Sequence, residues 1–353
     1  MKISDIETPA LILEKSVFEN NIAEMKKILD GSKLSLRPHY KSHKCSQIAR
    51  IQIENGAVGM TCAKLSEAYD LVDSGIEDVL IANQIVGDEK ISRLASLAKK
   101  CRLTVCVDNE ENVADISRAA ESVGALVRCL VEYEIGMERC GVTDSESVLK
   151  LAKYIDSCPN LKFEGIQAYA GHISHMEDSE ERMRATAENY EKIRSLVAYL
   201  SDNGVTVNTI SGGSTGTGSI KASSGLYTEL QAGSYIFMDA TYRNLDLPFK
   251  NSLFLLTSVV SCREGLVVLD SGVKTCGVDQ GNPVPMGFEA ERIVASEEHF
   301  QIHNPTVNFE IGQKVRLIPA HCCSTVNLHD KIYLVDGDKV VNRILVTARG
   351  IGK

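Results

Sequence analysis

Tryptophan is absent from the 353 residues, and aromatic residues make up only 5% of the chain. Long apolar runs are also absent: no stretch approaches the roughly 18 consecutive apolar residues of a membrane span, so no membrane partner is expected. The N-terminal residues 1–5 (MKISD) lack an apolar signal core. We therefore expect a cytoplasmic protein.

The chain has no excess of basic residues, since 38 Lys and Arg stand against 47 Asp and Glu for a net charge of −9. This balance argues against nucleic acid as a partner. The 11 cysteines include no CxxC pair, and Cys106 and Cys129 lie in apolar runs. We expect reduced, mostly buried thiols instead of a disulfide framework.

The length favours one large domain joined to a smaller one. From about residue 34, short β-branched runs alternate with segments in which apolar residues recur every three or four positions, as in 89–100 and 109–123. Asp108 and Asp144 stand at expected helix N-caps. The predicted strands are 35–40, 58–62, 78–82, 103–108, 126–132, 163–169, 205–211 and 229–236. Eight strands alternating with helices predict an α/β fold, a closed (β/α)8 barrel of the TIM type.

After about residue 250 the pattern changes to short strands separated by turn residues, at 253–261, 266–270, 314–319, 331–335 and 339–346. This pattern predicts a C-terminal β domain. The strand-like segment 9–13 precedes the barrel and could join that domain. We accordingly predict a barrel over residues 14–245 and a β domain formed by residues 1–13 and 246–353.

A basic motif, RPHYKSHK at residues 37–44, follows the first predicted barrel strand. It would lie at the C-terminal mouth, where barrel enzymes place their chemistry. Lys41 at this place could form a Schiff base and act as a base at a substrate α-carbon. A solvated basic loop is the alternative interpretation.

A glycine-rich run, SGGSTGTG at residues 211–218, follows the seventh predicted strand. Glycines let the backbone approach a phosphate, and hydroxyl and N–H groups supply donors. Barrel enzymes often bind phosphate after strands seven and eight, so Gly213, Ser214 and Thr215 are candidates, with Gly233 and Ser234 completing the cradle. The alternative is a flexible glycine turn.

The sequence HCC at residues 321–323 is a candidate metal site. On an extended segment His321 and Cys323 would share a face. An imidazole and a thiolate suit zinc and leave positions open for water or substrate. A buried cysteine pair beside a surface histidine is the alternative, and His329 and Asp330 are weaker candidates for the same ion.

Two further strand ends carry polar groups. Gln167 and Tyr169 share one face at the end of the sixth predicted strand, where they could contact a cofactor. Arg139 follows the fifth strand and could contact a pyridine ring or a substrate carboxylate. A plain salt bridge from Arg139 to Glu132 or Glu134 is the alternative.

Taken in order, these motifs resemble the D-serine dehydratase/D-threonine aldolase family, which has the alanine-racemase-like barrel and C-terminal β domain of fold type III. The resemblance runs from TPAL at residues 8–11 to TARG at residues 347–350. It also covers QAYAGH at residues 167–172 and ELQAGSY at residues 229–235. It implies pyridoxal 5′-phosphate as cofactor, with Lys41 as the Schiff-base lysine, and a small-molecule D-amino acid substrate. It also implies a homodimer.

Within the family that this chain resembles, the metal motif of the dehydratases is His-x-Cys with zinc. The metal motif of the aldolases is His-x-Asp with manganese or a similar ion. His321 and Cys323 therefore imply a zinc-dependent dehydratase of a D-3-hydroxy amino acid such as D-serine, giving a 2-oxo acid and ammonia. TVNL at residues 325–328 also occurs in the aldolases. A D-threonine-type aldolase giving glycine and an aldehyde stays open, as does a non-catalytic protein that binds pyridoxal phosphate.

Overall fold

The computed structural model describes residues 1–350 and 352. Contacts between residues divide the chain into two compact units. Met1–Met25, Lys41–Ile48 and Ser234–Gly350 form one, and Lys26–Tyr40 with Ala49–Gly233 forms the other. The domain boundaries predicted at residues 13/14 and 245/246 stay predictions.

Secondary structure follows the two sequence patterns. The strands up to residue 250 are β1 (Ala10–Glu14), β2 (Ser35–Leu36), β3 (Met60–Cys62), β4 (Asp78–Ile81), β5 (Arg102–Val107), β6 (Val127–Glu132), β7 (Leu161–Gln167), β8 (Thr209–Gly212) and β9 (Glu229–Leu230). The helices there are α1 (Lys15–Leu29), α2 (Ser46–Glu54), α3 (Leu65–Asp73), α4 (Asp88–Leu97), α5 (Glu110–Val123), α6 (Ser145–Ser157), α7 (Ser179–Asp202) and α8 (Gly218–Ser224). The remainder contains β10 (Leu253–Arg263), β11 (Leu266–Leu269), β12 (Val284–Pro285), β13 (Ala290–Ala295), β14 (Phe300–Pro305), β15 (Lys314–Ile318), α9 (Cys322–Val326), β16 (Lys331–Asp336) and β17 (Lys339–Leu345).

The barrel sheet contains eight parallel strands in the order β2-β9-β8-β7-β6-β5-β4-β3. A parallel bridge between His39 and Thr61 joins the two ends of this order, because β2 continues beyond its last ladder residue. Inside, Leu80, Cys106 and Leu130 pack together as one apolar cluster. The predicted (β/α)8 barrel is therefore confirmed, and the carboxyl ends of its strands meet at one mouth.

Strand boundaries differ from the prediction where backbone and side chains take other roles. The segment predicted as strand 205–211 is strand only from Thr209, because Val205 N donates to Leu200 O and ends helix α7. Asp144 caps α6 as predicted, with its side chain accepting from Ser147 N. The cap predicted at Asp108 is wrong: Asn109 caps α5. Asp108 instead accepts a hydrogen bond from Gly141 N.

The β domain is built on a sheet in the order β13-β14-β11-β10-β1-β16-β17, with β15 paired to β10 and to β12. Strand β1 lies between β10, to which it is antiparallel, and β16, to which it is parallel. The N-terminal strand β1 therefore lies within this sheet. Ile12, Phe254 and Val335 contribute to an apolar core on one face of the sheet.

All 11 cysteines are free thiols, and Cys106 and Cys129 are fully buried. Burial raises the pKa of the Cys129 thiol to about 12, so this side chain is an apolar packing element. Across residues 1–350 and 352, none of the helices has the length and apolar character needed to cross a bilayer.

Candidate active site

Lys41 lies in a single 3-10 turn, Tyr40–Ser42, that follows the first barrel strand. Its side chain is exposed, whereas Tyr40 and Ser42 on either side are buried. The backbone after it is held by Ala348 N, which donates to Lys44 O. The turn thus presents one lysine outward from a fixed backbone, as a covalent cofactor lysine requires.

Arg37, at the start of the basic motif, has a different environment from Lys41. Arg37 is buried and pairs with Asp78 at 2.8 Å and with Glu229 at 2.7 Å. Asp78 and Glu229 are the first residues of β4 and β9, so Arg37 points to the amino ends of the strands. Burial alone would lower its pKa, but the two carboxylates outweigh it and raise the pKa of Arg37. Arg37 is therefore a structural cation of the barrel.

The segment at residues 321–323 does not continue as an extended strand, so the period-two argument for a shared face of His321 and Cys323 does not apply. His321 is the N-cap of α9, which begins at Cys322. Cys322 is directed into the interior and is fully buried, and its backbone N–H donates to Asp239 Oδ2 at 2.9 Å. His321 and Cys323 still interact through their side chains, because the first turn of a helix folds its residues close together.

The Cys323 thiol lies in a positively charged environment. Its Sγ is 3.4 Å from Ser42 Oγ. A hydrogen bond from the Cys322 thiol is the largest cause that holds the pKa of Cys323 well below its usual value despite burial. The interaction with His321 and the charge of Lys41 lower the pKa further. The lowered pKa favours the thiolate of Cys323, and the thiolate is the form in which cysteine binds metals.

Family analogy suggested residues 276–279 only as a contribution from a second subunit, and sequence reasoning did not predict that Asp279 Oδ2 lies 2.6 Å from His321 Nδ1. Ser324 Oγ also donates to Asp279, at 2.5 Å. These hydrogen bonds outweigh desolvation and lower the pKa of the Asp279 carboxyl, so Nδ1 carries the proton and donates. The hydrogen bond with Cys323 is the main cause that raises the pKa of His321 to about 9. Because Nδ1 is bonded to Asp279, Nε2 is the nitrogen that would bind a metal, which would displace its proton.

Gly277 explains why the Asp279 segment can approach helix α9. A side chain at this position would place its Cβ 2.0 Å from Ser324 Oγ, and Gly277 N donates to Thr325 Oγ1 at 3.0 Å. A glycine two residues before an acidic residue is too weak a signal to find in the sequence. The contact depends on two segments that meet only in the folded chain.

An imidazole and a thiolate form a donor set that fits zinc. Among the residues that the structure describes, no three His, Cys, Asp or Glu side chains cluster as a complete metal cage. His321 and Cys323 would thus leave coordination positions open. The weaker candidates lie in other contacts, since His329 Nε2 bonds to Thr275 O at 2.7 Å and Asp330 pairs with Arg349 at 2.5 Å.

The glycine-rich run forms a tight loop after β8. Gly213 has φ +81°, a conformation that residues with a side chain rarely adopt. Ser214 N donates to Thr217 Oγ1 at 3.1 Å. Thr215 Oγ1 is buried and has no hydrogen-bond partner among the described residues. A buried hydroxyl without a partner in a glycine loop fits a phosphate, which would accept its hydrogen bond.

The predicted cofactor residues Gly233, Ser234 and Gln167 lie near the ends of strands β9 and β7. Gly233 and Ser234 are buried directly beyond β9, and the Ser234 side chain bonds to Cys322. Gln167 is buried and its amide pairs with Gln231, whose Nε2 donates to Gln167 Oε1 at 2.6 Å. This side-chain pair fixes the end of β7.

The salt bridge considered as the alternative role of Arg139 is present, with Glu132 as its partner, and its contact with a cofactor or substrate stays a prediction. Its guanidinium lies 3.9 Å from Glu132, and its backbone N–H donates to Glu134 at 3.4 Å. The guanidinium also lies over the Tyr169 ring, 5.8 Å from the ring centroid. Arg139 and Tyr169 are therefore neighbours beyond the ends of β6 and β7.

Two family models match consecutive parts of the chain. The alanine racemase N-terminal domain matches residues 14–241, and the serine dehydratase domain matches residues 252–335. The first match covers the barrel strands and helices, and pyridoxal phosphate is the cofactor expected for this fold family. The second match includes Asp279, His321 and Cys323.

Curated relatives and solved structures extend this similarity over the whole chain. A D-threonine aldolase of Arthrobacter sp. is 37% identical over 99% of this chain and 95% of its own length. A 3-hydroxy-D-aspartate aldolase of Paracoccus denitrificans is 38% identical over 100% of this chain and 94% of its own. The D-threonine aldolase structure from Filomicrobium marinum superposes with a TM-score of 0.96 at 37% identity, covering 100% of this chain and 98% of that one.

A D-threo-3-hydroxyaspartate dehydratase of Delftia sp. is 25% identical over 91% of this chain and 92% of its own length. Relatives named for both kinds of reaction thus align with the barrel and the β domain together. The chain belongs to the alanine-racemase-like family of pyridoxal-phosphate lyases that includes D-threonine aldolases and the serine and hydroxyaspartate dehydratases.

Proposed function

We propose that this protein is a metal-dependent lyase that cleaves the Cα–Cβ bond of a D-3-hydroxy amino acid, giving glycine and an aldehyde. The side-chain pair of His321 and Cys323 beside Lys41 supports a metal-dependent lyase, and the observation that carries the choice of bond is the 37–38% identity to relatives named aldolases. Lys41, His321 and Cys323 belong to one compact unit, so the proposed base and the proposed metal ligands would lie on the same unit.

Bound pyridoxal phosphate would supply an electron sink for the carbanion that forms at the substrate α-carbon. Lys41 would hold the cofactor covalently and would then move a proton at the α-carbon. Gly213, Ser214 and Thr215 would bind the phosphate through backbone N–H and hydroxyl groups. Arg139 and Tyr169 would orient the ring or the substrate carboxylate.

A divalent metal on His321 Nε2 and Cys323 Sγ, for which we propose zinc, would polarise the substrate's β-hydroxyl and lower its pKa. Asp279 would keep the His321 ring turned so that Nε2 faces Cys323. Asp239 would hold the intervening backbone N–H of Cys322. Both carboxylates act on the orientation of the ligands.

Two outcomes share this constellation, and relatives support one of them more strongly. The relatives named aldolases are 37–38% identical over nearly the full chain, whereas the dehydratase relative is 25% identical. This difference favours bond cleavage between Cα and Cβ. The dehydratase predicted from the sequence stays the second candidate, because a thiolate ligand at Cys323 resembles that branch.

Product analysis separates the two outcomes. Purified protein loaded with pyridoxal phosphate and zinc would be given D-threonine, D-serine and D-threo-3-hydroxyaspartate in separate reactions. Glycine with acetaldehyde from D-threonine, lost on chelation and restored by metal, is the expected result. Ammonia with 2-oxobutyrate would establish the dehydratase.

The matched variants are Cys323→Ser, which removes the thiolate ligand, and Cys262→Ser, which alters a half-buried cysteine on β10. Cys323→Ser should lose turnover and its dependence on metal. Cys262→Ser should keep both. Absence of turnover with all three substrates in the metal-loaded protein would contradict the proposal. Light scattering on the same preparation would test the homodimer that the family resemblance implies.

A further inference from the structure

Lys221 lies in helix α8, directly after the glycine-rich loop, and is 4% exposed. A lysine in a seven-residue helix that follows a loop would ordinarily lie in water. No part of the proposed chemistry uses this side chain. Its burial therefore needs a separate explanation.

The surroundings of the Lys221 ammonium are aromatic. Its Nζ lies 3.4 Å from the centroid of the Tyr227 ring and 5.2 Å from that of Tyr190. Within the part of the chain that the structure describes, no carboxylate forms an ion pair with it. Desolvation lowers the pKa of Lys221 to about 7. The two rings offset only part of the cost of burying a cation.

Gly213 lets the stem of this lysine pack against the glycine-rich loop. A Cβ at Gly213 would lie 2.5 Å from Lys221 Cδ and 2.7 Å from Cε, so the lysine stem occupies the space that a side chain would fill. Thr215, with its buried hydroxyl lacking a partner, is two residues further along the same loop. The loop thus packs against the stem of Lys221 and also holds a buried hydroxyl without a hydrogen-bond partner.

We propose that Lys221 is the counter-charge of the cofactor phosphate, held behind the glycine loop by Tyr190 and Tyr227. The inference rests on the proposed function in that pyridoxal phosphate is the ligand of this loop. The loop's N–H groups and hydroxyls are dipoles and carry no net charge, so a phosphate dianion bound by them alone would stay uncompensated. An ammonium in a dry site attracts it strongly because little water screens the pair.

The test compares two ligands that differ only in the phosphate. Metal-loaded full-length protein, freed of cofactor, is titrated with pyridoxal phosphate and with pyridoxal, and binding is followed by visible absorbance. Lys221→Met should weaken binding of pyridoxal phosphate at least about tenfold. It should change binding of pyridoxal by less than about twofold, since that ligand carries no phosphate charge.

Lys192→Met is the matched control, because Lys192 is an exposed lysine on α7, the helix that carries Tyr190. It removes the same charge from the surface and should leave both affinities unchanged. Equal weakening of both ligands by Lys221→Met would overturn the proposal in favour of a packing role. Unchanged binding of pyridoxal phosphate would also overturn it.

Two readouts separate this inference from the proposed function. If the unaltered protein fails to bind pyridoxal phosphate, both the proposed function and the role of Lys221 are wrong. If it binds the cofactor and Lys221→Met binds it equally well, only the role of Lys221 is wrong. Borohydride reduction followed by peptide mapping should place the bound cofactor on Lys41. Recovery of the cofactor on Lys221 would overturn the counter-charge role, because the lysine would then be the covalent attachment.

Discussion

His321 Nδ1 donates a hydrogen bond to Asp279 Oδ2 across 2.6 Å, joining two residues that are 42 positions apart in the chain. Ser324 donates to the other oxygen of the same carboxylate. The carboxylate therefore sets the tautomer and the angle of the imidazole before any metal arrives. Such partners raise the basicity of a histidine ligand and restrict its rotation.

Asp279→Asn should weaken metal binding by about 10- to 100-fold, because the amide cannot hold the imidazole N–H with a full negative charge. Competition between the protein and a chromogenic chelator would measure the change. The conservative substitution keeps the hydrogen-bond geometry to Ser324 available, so the fold should be retained.

Asp336→Asn is the control for this substitution, because Asp336 is exposed on the β16–β17 hairpin of the same unit. Its metal affinity should equal that of the unaltered protein. An unchanged affinity in Asp279→Asn would show that the His321 ring is oriented by other contacts.

Lys41→Ala should lower turnover by about 10²- to 10⁴-fold or more, since it removes both the covalent attachment and the proton-transferring group. The visible absorbance of the lysine-bound cofactor should disappear at the same time. Lys26→Ala, at an exposed position of α1, should retain both signals. Persistence of the absorbance in Lys41→Ala would refute the role of Lys41.

Arg37→Met should destabilise the barrel by about 3–5 kcal/mol, because it leaves the carboxylate of Glu229, whose side chain is only 14% exposed, without its cation. Chemical denaturation followed by circular dichroism would measure the free energy of unfolding. Arg118→Met removes an exposed ion pair with Asp115 and should cost less than about 1 kcal/mol. Similar losses in both variants would contradict a special role for the Arg37 network.

Lys221 should make the stability of the cofactor-free protein depend on pH. Its pKa is about 7 in the folded chain against an ordinary value of 10.5. Between these values the unfolded chain binds a proton that the folded chain lacks, so raising the pH favours folding. The free energy of unfolding should therefore rise from pH 7 to pH 9 in the unaltered protein relative to Lys221→Met.

Below about pH 7 the contribution becomes constant, because Lys221 is then protonated in both states. The difference between the unaltered protein and Lys192→Met should not change between pH 7 and pH 9. A pH-independent difference for Lys221→Met would mean that the folded protein keeps Lys221 charged throughout this range.

Most of the fold could be predicted from the local spacing of apolar and polar residues. Strand β6 and helix α5 were found because their apolar residues recur at periods that depend only on the local backbone. Strand ends were less accurate, as at Val205, where a helix termination competes with a strand-like composition. The cap at Asn109 instead of Asp108 is a choice between neighbours that local pattern does not separate.

The sequence by itself determined the barrel, the β domain, the lysine turn, the glycine loop and the candidate ligands His321 and Cys323, because each is a short pattern with its own spacing. Tertiary structure alone decided that Asp279 meets His321 and that Lys221 lies buried against Gly213. These contacts join side chains whose separation depends on the path of the chain and on what fills the space between segments. Composition and period carry no information about either.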